Sequence, residues 1–117
     1  MINSYKELIV WQKSFKLVKQ LYEITKAFPK AEIYGIISQI RRAAVSIPSN
    51  IAEGFVRKSK KEFSQFVAIA FGSGAELETQ LLLAKELGFI TEQEFVATNS
   101  LLQEVMKMLN SLLSKLK

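Results

Sequence analysis

The residues best equipped for chemistry in this chain are Arg42, Ser46, Ser49 and Glu53, spaced at intervals of four, three and four. At 100° per residue they form one stripe along a helix, with Gln39 and Asn50 on its flank. Such a stripe can grip another helix or a second subunit, or it can run acid–base work through Glu53 with Arg42 or Tyr34. Composition argues against the enzymatic option. The chain has no histidine and no cysteine, so triads, haem–histidine sites and thiolate or imidazole metal sites lose their usual groups. Glu76 and Glu78 point about 200° apart on a helix and cannot act as a carboxylate pair, and no glycine-rich phosphate loop is present. No catalytic residue, metal or cofactor is expected. Arg42 and Glu53 lie about 16 Å apart along a straight helix, so they do not pair with each other there. A role in assembly across subunits follows, and the alternative is that Ser46, Ser49 and Asn50 satisfy backbone groups freed by Pro48.

A second group of residues suits anions. Sixteen lysines and arginines stand against 11 glutamates and no aspartate, a formal charge of +5, which favours an anionic partner. Arg57, Lys58, Lys60 and Lys61 put four cations in five positions at a helix entry, where the helix dipole is also positive. Phosphate binding is one outcome of such crowding and a solvated turn is the other. Lys13, Lys16 and Lys19 form a second basic set on the first helix. No base-reading motif accompanies them, so any RNA or DNA binding would be electrostatic and independent of sequence.

The elements that carry these groups are four amphipathic helices. The first is expected from near Tyr5 or Leu8 to about Ala27, stopped by Phe28-Pro29. The second runs from about Lys30 to Glu53, with Gly54 in the left-handed closing position and a kink near residues 44 to 48 because Pro48 lacks an N–H for Ala44. Ser59 with Glu62, and Thr91 with Glu94, are capping boxes that start the third and fourth helices. Gly72 and Gly74 weaken the third helix and imply close packing of another backbone. That helix has a second arc without charge, Ile69, Gly72, Ala75, Leu83 and Leu87, so more than one neighbour is expected. The fourth helix is apolar over a wider arc than a small bundle needs, so part of it is expected either to face another chain or to fray at the end. Short connections and the absence of strand alternation predict an all-α fold, an antiparallel up-down four-helix bundle in a single domain of residues 1–117. The N-terminus lacks a signal-peptide pattern, and no apolar run is read as approaching the roughly 20 residues of a membrane span. A cytoplasmic protein without membrane contact is expected.

Several of these segments resemble a known family. Leu8-Ile-Val-Trp-Gln-Lys13, Phe28-Pro29, the run Gln39 to Gly54 with Arg42, Ala43, Ala44, Ser46, Ile47, Pro48, Asn50, Ile51, Ala52 and Glu53, and Gly72-Ser73-x-x-Glu76-Leu77-Glu78-Thr79-Gln80 are similar to bacterial four-helix-bundle proteins encoded in intervening sequences of large-subunit ribosomal RNA genes. The resemblance covers about residues 5 to 110. It implies rings of identical bundles, taken as homopentamers. It also implies likeness to the accessory protein of diversity-generating retroelements, a basic ring that associates with a reverse transcriptase and nucleic acid. The resulting expectation is an oligomeric, non-enzymatic adaptor that binds nucleic acid through a basic surface, with a structural or protein-binding ring as the alternative.

Overall fold

Proline, glycine and capping hydroxyls punctuate the chain, and helices fill the intervals. A computed structural model describes all 117 residues. Helix α1 spans Ile9–Thr25, α2 Ile36–Val56, α3 Lys60–Glu86 and α4 Glu92–Lys115, with 3-10 turns at Tyr5–Glu7 and Lys30–Glu32 and no strand. Each helix packs on its neighbours in sequence, and α1 closes the ring against α4. Only three residues join α2 to α3 and five join α3 to α4. At about 3.6 Å per extended residue these links cannot retrace a helix about 40 Å long. Each of those helices therefore runs back along the one before it.

The core draws on one apolar face of each helix. Leu17 and Leu21 of α1, Ile40, Ile47 and Ile51 of α2, Leu77 and Leu81 of α3, and Leu102 and Leu109 of α4 are fully buried. Thr25 is buried among them. Its hydroxyl donates to the carbonyl of Leu21 at 2.7 Å and accepts from Nε of Arg41 at 2.9 Å, while that guanidinium lies 4.5 Å from the centre of the Tyr22 ring. This contact ties the end of α1 to α2. Thr91 forms a complete capping box with Glu94, and Ser59 Oγ accepts the Glu62 N–H at 3.2 Å.

Expectations for the helix ends and the glycines change. The second α-helix begins at Ile36 rather than near Lys30, because the stretch after Pro29 forms only a 3-10 turn at Lys30–Glu32 and Gly35, at φ −111° and ψ −117°, breaks it from the α-helix. It also runs through Gly54 to Val56. Gly54 is buried beneath α3, where a Cβ would come within 2.6 Å of Phe66 Cβ, so glycine serves close approach there. The left-handed residue is Lys58, at φ +58°. The two α3 glycines have different surroundings: a Cβ on Gly74 would strike Met106 of α4, and one on Gly72 would meet nothing within 4 Å.

The surplus apolar surface lies on α3 more than on α4. Leu101, Met106, Met108, Leu112 and Leu113 of α4 pack against the core, whereas Ile69, Leu82, Leu83 and Leu87 are about half exposed. The second arc of α3 has no neighbour within its own chain. By length and composition α3 is also the one helix apolar enough to cross a bilayer, which corrects the expectation that no run approaches that length. A third of its apolar window is buried inside the bundle. Pro48 sits inside α2, buried against α1.

Candidate nucleic-acid interface

The turn between α2 and α3 carries the densest charge. Arg57 closes α2, Lys58 adopts the left-handed conformation, and Ser59 caps α3 so that Lys60 and Lys61 occupy its first turn, exposed. The four cations are not equivalent. Arg57 pairs with Glu53 at 2.9 Å and Glu62 at 3.3 Å, and its guanidinium stacks 5.0 Å from the centre of the Phe66 ring. The hydrogen bond and charge of Glu53, reinforced by Glu62, raise the Arg57 pKa above its already high ordinary value. Arg57 therefore organises the turn, and Lys58, Lys60 and Lys61 remain available to an anion.

The fold adds cations that sequence spacing did not bring together. Leu116 lies against Phe55, Lys58, Ser59 and Lys60, and the start of α1 at Leu8–Val10 borders Ser111, Leu112 and Lys115 of α4. The Tyr5–Glu7 turn packs on α2. One end of the bundle thus gathers Lys6, Arg57, Lys58, Lys60, Lys61, Lys115 and Lys117 against only Glu7, Glu53 and Glu62. Glu7 is already engaged by the backbone N–H groups of Asn3 and Ser4, both at 3.0 Å. Those residues account for +4 of the chain's +5. Lys6, Lys115 and Lys117 escaped the sequence reading because they are far from residue 60 in the chain. The available signal was the lysine-rich end of α4, which an antiparallel bundle sets beside the α2–α3 turn.

The second basic set disperses. Lys13 bridges to Glu104 of α4 at 2.5 Å. Lys19 turns the other way and lines a groove between α1 and α2 with Tyr5, Trp11, Phe15, Val18, Val45, Pro48, Ser49 and Ala52. Lys16 is exposed. These three lysines do not make one surface.

The polar stripe of α2 divides as well. Ser49 belongs to the apolar α1–α2 groove, and Glu53 to the Arg57 cluster. Ser46 faces α3, where its Oγ is 2.7 Å from Ser73 Oγ, and Asn50 donates to the Ser46 carbonyl at 2.8 Å and to its hydroxyl at 2.9 Å. Asn50 therefore bonds the carbonyl of Ser46 and not that of Ala44, the group Pro48 leaves without a donor. Arg42 borders two hollows, one toward Tyr22, Tyr34 and Arg41 and one toward Ser73 and Glu76. Sequence reasoning missed Ser73 and Glu76 as site residues, although both stand in the second motif. Arg42 and Tyr34 line one hollow while Glu53 is bound to Arg57 on another part of α2, so the residues considered for acid–base work do not converge.

A four-helix bundle with a cationic end and two motifs facing across α2 and α3 is the class of protein these features define. The profile of the 23S rRNA-intervening sequence proteins matches residues 6–111, and the chain belongs to that family. Among solved structures it is similar to a protein of unknown function from the S23 ribosomal protein family of Bacteroides thetaiotaomicron. The two are 25% identical, with a TM-score of 0.81 over 90% of this chain and 98% of the other. No curated protein matches.

Proposed function

We propose that this protein is a non-enzymatic scaffold that assembles with copies of itself and holds RNA or DNA on its basic end. The supporting observation is the concentration of nearly all the net charge at the end where α1 begins, α2 turns into α3 and α4 finishes. Lysines there that lack a carboxylate partner would displace counterions from a phosphate backbone, the main driving term in sequence-independent binding. Assembly has its own support. From Gln65 to Ala84, α3 carries no cation, and its exposed face combines Ile69, Leu82 and Leu83 with Glu76. The α1–α2 groove is lined by aromatic and aliphatic side chains with Lys19, and no carboxylate borders it. Two unlike faces of complementary character favour a head-to-tail contact, which closes into a ring when its rotation permits. The family resemblance favours five copies, with a formal +25 on the ring. Likeness to a retroelement accessory protein makes a reverse transcriptase one partner such a ring would hold beside nucleic acid.

The test is binding of labelled single-stranded RNA and DNA across a salt series. Affinity should fall linearly on a log–log plot, with a slope of about −0.7 per phosphate neutralised. The double variant Lys60→Glu/Lys61→Glu should weaken binding at least tenfold, and Lys13→Ala should leave it near the parent value. A salt-independent signal, or none at low salt, overturns this reading. The alternative, a structural ring without nucleic acid, rests on the ion pairs that already engage Arg57 and Lys13. It predicts that the double variant still captures a protein partner and that no nucleic acid co-purifies.

A further inference from the structure

Resting on the nucleic-acid reading, we infer that the groove between α2 and α3 is a ribose-phosphate site, in which Arg42 takes the phosphate and Glu76 accepts the 2′-hydroxyl. The groove encloses about 360 Å³, and Ala43 is its one apolar wall. Gln39, Arg42 and Ser46 come from α2, and Ser73 and Glu76 from α3. All five polar residues belong to two of the segments that carry the family resemblance, Gln39–Gly54 and Gly72–Gln80, and none is part of the apolar core. Residues 27 positions apart, Ser46 and Ser73, touch at the floor.

The hydrogen-bonding capacity is incompletely used. Asn50 donates to Ser46 Oγ; when Ser46 in turn donates to Ser73, the Ser73 proton is left for a ligand. Arg42 takes part in none of the chain's ion pairs. Glu76 holds only the amide of Gln80, at 3.4 Å. Arg42 and Glu76 border the same groove without bridging it, so the site offers a bidentate cation and a strong acceptor held apart. A bare phosphate gains from Arg42 and loses to Glu76. An anion with a hydroxyl donor beside it satisfies both, and a ribose phosphate carries that pair, whereas deoxyribose with its 3′-oxygen esterified, as in a DNA strand, leaves the carboxylate unpaired. No aromatic ring lines the groove, so the base itself is not stacked there. Arg42 lies about 22 Å along α2 from Arg57, within reach of one strand that also crosses the basic end.

The test compares single-stranded RNA and DNA 20-mers of matched sequence by fluorescence anisotropy, together with titrations of adenosine 3′,5′-bisphosphate, whose one sugar hydroxyl is the 2′, and its 2′-deoxy form. The parent should bind RNA about tenfold more tightly than DNA, the scale of one charge-assisted hydrogen bond. In Glu76→Ala that ratio should fall to about one, with DNA affinity unchanged or raised because a repulsive charge is gone. Arg42→Gln should weaken both polymers and reduce the salt slope by about 0.7. Both side chains are exposed, so the fold tolerates the changes, and circular dichroism checks it. Ribose discrimination by the mononucleotide without polymer binding would assign the groove to a free ribonucleotide and remove the scaffold reading. Equal binding of RNA and DNA by the parent, or a ratio that survives Glu76→Ala, overturns the ribose-phosphate site while leaving the basic end in place. Loss of all binding in the parent overturns both.

Discussion

Glycine and lysine at four positions separate packing from function. Gly54→Ala places a Cβ 2.6 Å from Phe66 Cβ and 3.0 Å from the Phe63 ring, atoms fixed close to the backbone. Overpacking of this kind costs about 1–3 kcal/mol, and a lower urea midpoint at unchanged slope should report it. Gly72→Ala meets open space. It should stabilise the monomeric chain by about 1 kcal/mol, the helix-propensity gain over glycine. Lys58 has the opposite economy, since its φ of +58° costs a residue with a Cβ about 1–2 kcal/mol. Lys58→Gly should therefore raise thermal stability and weaken nucleic-acid binding together. A cation kept where glycine fits better is consistent with the proposed role of that turn. Gly88, at φ +77°, already has the residue its geometry favours.

Between elements, the contact of Thr25 with Arg41 fixes how α1 meets α2. Thr25 is 1% exposed, so Thr25→Val keeps the shape and removes the hydroxyl that receives Arg41. The expected cost is about 1–2 kcal/mol, because the arginine loses a partly buried partner, and it is measurable by chemical denaturation. At the start of α4, Thr91 accepts the Glu94 N–H at 3.0 Å while Glu94 accepts the Thr91 N–H at 3.1 Å. Thr91→Ala should cost about 1 kcal/mol. Because Thr91 is exposed at the end opposite the basic turn, nucleic-acid affinity should not change.

For the whole molecule, the uneven placement of charge and apolar surface makes a separable prediction. Leu83→Glu on the exposed face of α3 should lower the native mass toward a single chain at micromolar concentration while the circular dichroism stays helical. Salt should weaken nucleic-acid binding far more than self-association, because counterion release drives the first and apolar burial the second. A parent protein that sediments as a single chain at micromolar concentration would remove the assembly proposal and leave the basic end of each bundle intact.

Local chemistry made most of the fold legible. The stop at Phe28-Pro29, the caps at Ser59 and Thr91 and the apolar faces of four helices depend on residues within a few positions of one another. The sequence by itself therefore determined the number of helices and most of their stops and caps, and it identified the family through four short segments. It did not determine which outward faces meet, because that depends on the rotation of each helix about its axis and on which ends adjoin. Tertiary structure decided that Ser46 meets Ser73 while Ser49 turns toward α1, that Gly54 lies under α3, and that Lys6, Lys115 and Lys117 join the α2–α3 turn. Charges far apart in the chain become one field only when packing brings their helix ends together.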